Sequence, residues 1–198
     1  VETIVMPHND ETVRVAILRE INREGQVFFL HNRVKTIHLV HRRLRELVPE
    51  ARIGVGHGQM SERLLENVMR KFVAGEFDIL LCTTIIESGV DIPNVNTIII
   101  DRADRFGMAD LYQLRGRVGR YRNKAYAYLL LPKHGQLFES ARRRVRALQR
   151  YSSLGSGFKV ALRDLEIRGA GNVLGPQQSG HIAAVGFDLY CQFLKRTI

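Results

Sequence analysis

Cysteine is scarce in this sequence, which has two cysteines and no tryptophan in 198 residues. Cys82 and Cys191 stand alone, without the paired spacing of a metal-binding or redox motif, so neither a disulfide framework nor a cysteine metal site is expected. Both lie among apolar residues and are interpreted as small core residues. A protein without structural disulfides is expected in a reducing cytoplasm.

Long apolar runs are missing as well. No segment approaches the roughly 20 consecutive apolar residues that a membrane-spanning helix needs, and residues 1–7 lack the basic start of a signal peptide. We therefore expect no membrane partner. The chain begins with valine instead of methionine, which favours a piece of a longer protein, although trimming of the start would leave the same sequence.

Two patterns of nucleotide-hydrolysing sites are also absent. No GxxxxGK[ST] string occurs, so the chain has no loop to cradle nucleotide phosphates and no lysine to reach them. The apolar run at 98–100 continues into Asp101 and Arg102, without the acidic pattern that holds Mg²⁺. We expect no metal site, no stably bound cofactor and no nucleotide hydrolysis by this chain alone.

Basic residues, by contrast, are concentrated in one segment. The chain has 30 Lys and Arg against 20 Asp and Glu, a net charge of +10. Residues 102–150 hold 13 of the basic and 3 of the acidic residues and so carry the whole excess. Such a segment in an otherwise neutral protein favours a polyanionic partner. A solvated basic face, or a surface paired with an acidic domain, would have the same composition.

Short apolar runs alternate with helical patterns along the first 133 residues. The patterns predict strands at 27–30, 52–55, 78–83, 97–100 and 125–131, and helices at 9–23, 33–48, 61–73 and 109–118. This alternation predicts an α/β fold, a three-layer parallel sheet with helices on both faces. In the helix at 61–73, four apolar residues are predicted to face the core: Leu64, Leu65, Val68 and Phe72.

The alternation stops near residue 133. An arginine-rich helix is predicted at 138–151, and a stretch with four glycines and a proline follows at 168–180. We interpret 1–133 as a sheet domain and 134–198 as a helical hairpin with a hook. The arginine-rich helix either contacts nucleic-acid phosphates or is a solvated face, and the sequence favours neither interpretation.

The string QLRGRVGR at 113–120 places three arginines within six positions near the end of a predicted helix. A guanidinium group is always charged, and its planar fork matches phosphate oxygens. Such a group can neutralise the charge that develops as a terminal phosphate leaves, which is the role of an arginine finger. A surface charge cluster is the less specific interpretation.

The string TTIIESGVDIP at 83–93 follows a predicted buried strand. Ligands of parallel sheets bind beyond the carboxyl ends of the strands, where this string begins. Thr83 and Thr84 offer hydroxyl and backbone N–H groups to a phosphodiester. Gly89 permits a tight turn, and Asp91 is an acceptor for a ribose hydroxyl or a facing arginine. Taken alone, the string is equally well interpreted as an ordinary polar loop. Because QLRGRVGR follows about 20 residues later, a functional site is the favoured interpretation.

These strings resemble motifs of superfamily 2 helicases and translocases. QLRGRVGR resembles motif VI, TTIIESGVDIP resembles motif V, HNR at 31–33 resembles motif IV, and GHGQM at 56–60 resembles the loop between motifs IV and V. DLEIRGAGN at 164–172 and GFDLY at 186–190 are similar to the translocation-coupling motif of bacterial transcription-repair coupling factors. RecG-type helicases are the next most similar family, although they usually have proline at Ala170.

The resemblance implies a C-terminal RecA-like motor domain of an ATP-dependent double-stranded DNA translocase that couples stalled transcription to repair. Arg117 and Arg120 would reach the γ-phosphate of ATP across a domain cleft, and Gln113, the third residue of this catalytic group, would help connect that cleft to motif V. Gly89 and Asp91 would line the nucleotide and the interdomain face.

Other roles follow from the same resemblance. Six residues would contact a DNA strand backbone: Asn32, Arg33, His57, Gly58, Thr83 and Thr84. Arg168 and Gln178 would lie in the coupling hook. ATP and Mg²⁺ would be shared with an N-terminal RecA-like domain of the same protein, and RNA polymerase and repair proteins would bind through other domains.

Two alternatives remain open. One is a RecG-type helicase domain that acts on branched DNA. The other is a non-catalytic nucleic-acid-binding module, which the net charge fits equally well but which does not require the arginine string.

Overall fold

The computed structural model describes residues 1–84, 94–119 and 123–133 and the single positions 141, 143, 144 and 147. Its strands are β1 Glu2–Pro7, β2 Gln26–Leu30, β3 Ile53–Gly56, β4 Ile79–Cys82, β5 Val95–Ile100 and β6 Tyr126–Leu131. Its helices are α1 Asp10–Asn22, α2 Ile37–Leu47, α3 Glu62–Val73 and α4 Met108–Arg115, with 3₁₀ turns at Val34–Thr36 and Ala103–Arg105.

The six strands form one sheet in the order β1-β6-β5-β2-β4-β3. Every neighbouring pair is parallel, which confirms the predicted α/β fold with a parallel sheet. β1 is the strand in the described ranges that the sequence patterns did not predict. It lies at the sheet edge, pairs only with β6 and is mostly half-buried, so its sequence lacks the continuous apolar run of the inner strands.

The sheet separates two apolar layers. On one face, Val13, Ile17 and Leu44 of α1 and α2 pack against alternate residues of β2, β4 and β5. On the other, Phe72 of α3 and Leu111 of α4 pack against the intervening residues. Because the inner strands are covered on both sides, consecutive residues must be apolar, which explains why these strands could be predicted from short apolar runs.

The start of one helix agrees with its prediction, and the start of another differs. The side chain of Asn9 caps α1 by accepting a hydrogen bond from the Thr12 N–H at 3.1 Å, as its sequence predicts. The helix predicted at 33–48, however, begins as a 3₁₀ turn, in which the Thr36 N–H donates to the Arg33 carbonyl at 3.2 Å. Arg33 itself is extended, with φ −144°.

One core prediction for α3 is wrong. Phe72 is fully buried and Val68 packs against the core, but Leu64 is 56% exposed and Leu65 is half-buried. The inward stripe of α3 passes through Val68, Met69 and Phe72. Leu64 therefore lies at the margin of this stripe, although its i, i+4 spacing to Val68 suggested the same face.

The predicted second domain, 134–198, lies almost wholly outside the described residues. Ala141, Arg143, Arg144 and Ala147 are helical, in agreement with the predicted arginine-rich helix at those positions. Cys82 is buried with no exposed surface, as predicted, whereas Cys191 lies outside the described part of the chain.

Candidate nucleic-acid and nucleotide interface

Six of the predicted site residues lie at one edge of the sheet. β2, β4 and β3 are neighbours and parallel, so their carboxyl ends meet at the same edge. The chain leaves these strands through the residues expected to contact DNA: Asn32, Arg33, His57, Gly58, Thr83 and Thr84. The fold therefore brings together three segments that are up to about 50 residues apart in sequence.

Contacts between the three segments are direct. The His31 N–H donates to the Cys82 carbonyl at 2.8 Å, and the Thr83 N–H donates to the Gly56 carbonyl at 3.3 Å. The Thr84 hydroxyl donates to Asn32 Oδ1 at 3.5 Å. These bonds hold the loops after β2, β4 and β3 in a fixed arrangement.

Exposure divides the six residues. Asn32, Arg33 and Gly58 are exposed, so their polar groups can meet a ligand directly. Thr83 is only 6% exposed and its N–H is already bonded to the sheet, so Thr84 is better placed for a phosphodiester. His57 is half-buried, and its Nδ1 is a buried atom without a hydrogen-bond partner in the described structure.

A histidine–aspartate network lies beside these loops. α2 and α4, which follow β2 and β5, pack on opposite faces of the sheet, and such a switch point is where α/β sheets usually open a ligand crevice. Here the crevice is bridged, because His31 Nδ1 lies 2.8 Å from Asp101 Oδ2. His31 Nε2 also lies 2.8 Å from the Thr36 hydroxyl, and His8 Nδ1 lies 3.6 Å from Asp101 Oδ1.

The network shifts two pKa values. Burial alone would raise the pKa of Asp101, but hydrogen bonding and charge interaction with His31 and His8 outweigh burial and hold this pKa well below its usual range. The pKa of His8 is raised, chiefly by Asp101 and against the effect of burial, with a further contribution from Asp10. Asp101 therefore stays ionised and favours protonated His8.

A cavity of about 300 Å³ opens next to this network on the α1 and α2 side. Charged and titratable groups from strand ends and from α1 and α2 line it, among them His8, Asp10, Arg43, Asp101 and Lys133. Arg43 donates to Asp10 at 2.7 Å, so part of this charge is neutralised within the protein. The cavity was not predicted, because its lining comes from segments that are far apart in sequence.

The arginine string lies toward the opposite edge of the sheet. α4 runs back from the carboxyl end of β5, and the Gly119 N–H donates to the carbonyl of Val95, the first residue of β5, at 3.3 Å. Gln113 is exposed and Arg117 is half-buried. Arg117 is two residues before Gly119 and therefore lies toward the amino edge, about one strand length, roughly 15 Å, from the edge that holds Asn32 and Thr84. Gln113 lies along α4, between the two edges.

Arg115, the first arginine of the string, is buried. It is 6% exposed, and its guanidinium carbon lies 4.8 Å from the centre of the Tyr112 ring. Burial lowers its pKa, and interaction with Tyr112 partly opposes that effect. Burying a guanidinium is unfavourable unless its charge is compensated, and the Tyr112 ring supplies part of that compensation. Arg115 therefore packs into the core, while Arg117 is half-buried.

A buried carboxylate near the same edge was also not predicted. Glu20 of α1 is completely buried. It accepts hydrogen bonds from the Thr97 hydroxyl and from Arg23 Nη2, both at 2.5 Å. The sequence does contain a signal for it: Glu20 follows Ala16 and Ile17 by one helical turn, so an acidic residue stands on the apolar face of α1.

Five predicted site residues lie outside the described residues: Gly89, Asp91, Arg120, Arg168 and Gln178. In the described part of the chain, no group of three or more His, Cys, Asp or Glu side chains is arranged to hold a metal ion. Among the same residues, no helix combines the length and apolar character needed to cross a bilayer.

The model of the helicase conserved C-terminal domain family matches residues 10–122. This chain belongs to that family. The match begins at α1 and ends in the segment between α4 and β6, so it includes the strand ends and the arginine string described above. The assignment confirms the resemblance to superfamily 2 helicases that motifs IV to VI suggested.

Curated relatives of this helicase C-terminal domain are transcription-repair-coupling factors. Those of Myxococcus xanthus and Staphylococcus haemolyticus are each 54% identical over all 198 residues, and that of Mycobacterium tuberculosis is 55% identical over 196. The match covers 16%, 17% and 16% of these relatives, respectively. The chain thus spans about a sixth of their length.

Solved structures support the helicase fold. A RecG bound to a three-way DNA junction aligns with a TM-score of 0.76 and 34% identity, over 96% of this chain and 25% of that chain. Domain 2 of the DEAD-box helicase Mss116p, bound to an RNA duplex, aligns with a TM-score of 0.59 and 16% identity, over 84% and 69% of the two chains. The latter likeness concerns the fold alone.

Proposed function

We propose that this chain is the second motor domain of an ATP-dependent double-stranded DNA translocase that couples stalled transcription to DNA repair. In this proposal the carboxyl edge grips the backbone of DNA, and the arginine string completes an ATP site on a preceding domain. The observation that carries the proposal is the 54% identity, over the entire chain, to transcription-repair-coupling factors.

The RecG-type alternative is less favoured. The aligned RecG chain is 34% identical, whereas the coupling factors range from 52% to 55%. The sequence at 164–190 also favours a coupling factor over RecG, since its strings RGAGN and GFDLY resemble those of coupling factors. A purely binding module is disfavoured because binding alone would not require the string QLRGRVGR.

The DNA part of the proposal rests on the carboxyl edge. Exposed Asn32 and Arg33, together with Thr84, offer amide, guanidinium and hydroxyl donors along one line of strand ends. Such donors suit phosphate oxygens and read no base sequence. We therefore infer sequence-independent binding that weakens as salt is added.

The ATP part rests on the string at 113–120. With Arg115 anchored in the core, Arg117 and Arg120 are the arginines proposed to approach the γ-phosphate, and Gln113 is exposed on the same helix. Positive charge placed there would stabilise the charge that develops on the leaving phosphate. The loop that cradles ATP and the groups that bind Mg²⁺ would belong to the preceding domain, so this chain alone is proposed to be inactive.

The remaining roles follow from the same proposal. Gly89 and Asp91 would line the nucleotide, and Arg168 and Gln178 would form the coupling hook. RNA polymerase and repair proteins would be bound through other parts of the parent protein, which would act in the cytoplasm.

The decisive experiment measures ATP hydrolysis by the intact parent protein, with and without duplex DNA. Arg117→Ala and Arg120→Ala are expected to lower the DNA-stimulated rate by about 10³-fold or more, the usual contribution of an arginine finger. Arg45→Ala is the matched control, because Arg45 is exposed on α2, and it should leave the rate unchanged.

Two results would contradict the proposal. If both arginine variants hydrolyse ATP at the wild-type rate, the finger assignment is wrong. If the 198-residue chain alone hydrolyses ATP, the site is not shared with a preceding domain.

A further inference from the structure

An arginine patch lies at the end of β5, next to the proposed DNA-binding edge. β5 is the direct neighbour of β2, and the Asp101 N–H donates to the Leu30 carbonyl at 2.9 Å. The residues after Asp101 therefore continue the line of strand ends that begins with β3, β4 and β2. Adding β5 extends that line from about 10 Å to about 15 Å, at roughly 4.8 Å per strand.

Three arginines meet at this end of β5. Arg102 follows the strand, Arg105 closes the 3₁₀ turn at Ala103–Arg105, and Arg144 comes from the arginine-rich helix. Arg144 Nη2 donates to the Asp104 carbonyl at 3.1 Å, which places Arg144 beside the other two arginines. We call Arg102, Arg105 and Arg144 the β5 arginine patch.

The acidic groups nearby are already occupied. Asp101 faces His31 and His8, and the carboxylate of Asp104 accepts from Arg102 Nε and Nη2 at 2.9 and 2.8 Å. In the described ranges no carboxylate lies within ion-pair distance of Arg105, which is exposed. The patch therefore presents more positive charge than the protein itself neutralises.

Positive charges crowd one another here. Desolvation and the charges of Arg102 and Arg33 lower the pKa of the exposed Arg105 guanidinium, and the charges of Asp104 and Asp101 oppose this effect only in part. In addition, Nε of half-buried Arg144 is a buried atom without a hydrogen-bond partner within the described structure. Like charges this close are unfavourable in the free protein and become favourable when an anion lies between them.

We propose that the β5 arginine patch binds DNA backbone phosphates and extends the track of Arg33 and Thr84 by the width of one more strand. The extended track is about 15 Å long, which corresponds to about four nucleotides at 3.4 Å of rise per nucleotide along one strand. The inference rests on the proposed DNA-binding function and adds contacts that the motif resemblance does not assign. It also gives a role to the arginine-rich helix.

The test uses the intact parent protein and a short fluorescently labelled duplex, with affinity measured by anisotropy between about 50 and 200 mM salt. Arg105→Ala is expected to weaken binding roughly fivefold at physiological salt and to reduce the slope of log affinity against log salt by about 0.9, one phosphate contact. Arg105→Lys keeps the charge and should retain the wild-type slope.

Controls separate this inference from the proposed function. Arg45→Ala removes an exposed arginine of α2 and should leave the slope unchanged. If Arg33→Ala weakens binding while Arg105→Ala behaves like Arg45→Ala, the patch does not bind DNA although the proposed function stands. If neither Arg33→Ala nor Arg105→Ala weakens binding, the DNA-binding edge itself is wrong. If Arg105→Lys binds DNA more weakly than wild type and shows the same reduced salt slope as Arg105→Ala, the contact is not electrostatic.

Discussion

The turn that carries the arginine string depends on glycine at position 119. Gly119 has φ +76°, a conformation that L-residues rarely adopt. A Cβ added there would overlap the Cβ of Ala125 and lie 3.4 Å from Val1 Cγ2. Gly75 has the same φ of +76°, but a Cβ there would meet nothing within 4 Å. The two glycines therefore separate backbone strain from steric overlap.

The expected magnitudes differ accordingly. Gly75→Ala should lower the free energy of unfolding by about 1 kcal/mol, the penalty of a left-handed backbone. Gly119→Ala carries the same penalty and adds overpacking against Ala125, which contributes about 1–3 kcal/mol more. The total of about 2–4 kcal/mol is a large fraction of the 5–15 kcal/mol typical of a folded domain.

Urea denaturation of the 198-residue chain, followed by circular dichroism, measures these losses. Ala125→Gly removes the Cβ that would be overlapped, so the double variant Gly119→Ala/Ala125→Gly should recover about 1–3 kcal/mol relative to the sum of the single variants. If Gly119→Ala loses no more than Gly75→Ala, or if the double variant shows no coupling, the turn is not held in contact with β6.

Three further predictions concern the core and the two edges, each measured by urea denaturation. Phe72→Ala should destabilise the chain by about 3–5 kcal/mol, since the ring is fully buried; a loss below about 1 kcal/mol would contradict the packing of α3. Glu20→Ala leaves buried partners such as Thr97 unsatisfied and should lose about 1–3 kcal/mol, with Glu20→Gln losing less. The pKa of His8 is raised by Asp101, so His8 contributes stability below its unfolded pKa of about 6.5, and that contribution disappears as pH rises through the folded value. His8→Gln should therefore lose more stability at about pH 5.5 than at about pH 8.5, and the opposite trend would refute the network.

Short sequence patterns predicted the helices and strands whose formation depends on neighbouring residues. The inner strands are apolar on both faces, so runs such as 27–30 identify them, and Asn9 marks the start of α1 by its capping side chain. β1 was not predicted because an edge strand is only partly buried and therefore needs fewer apolar residues. Its pairing partner β6 is also more than 100 residues away in sequence. The exposure of Leu64 depends on how α3 crosses the sheet, which helical periodicity does not specify.

The candidate site divides in the same way. Motif strings predicted which segments belong to a helicase C-terminal domain, because the residues of each motif are adjacent in sequence; that these segments bind phosphate stays a prediction. They did not predict that Thr83 would be buried, since that depends on the neighbouring strand end at Gly56. They also did not predict the pairing of His31 with Asp101, because two residues 70 positions apart meet only when β2 and β5 become neighbours.

In the proposed motor, the distance between the amino edge of the sheet, near Arg117, and the carboxyl edge, which holds Asn32 and Thr84, would amplify a rotation of the domain. A closing cleft would act near Arg117, whereas the proposed DNA contacts lie beyond the far ends of the strands, roughly 15 Å away. If the domain pivots about its amino edge as a rigid body, a tilt of about 13° moves the far edge by about 3.4 Å, the rise of one base pair. If the proposed function is correct, a sheet whose described strands are all hydrogen-bonded to their neighbours would convert a small rotation near the nucleotide into a displacement of about one base pair along DNA.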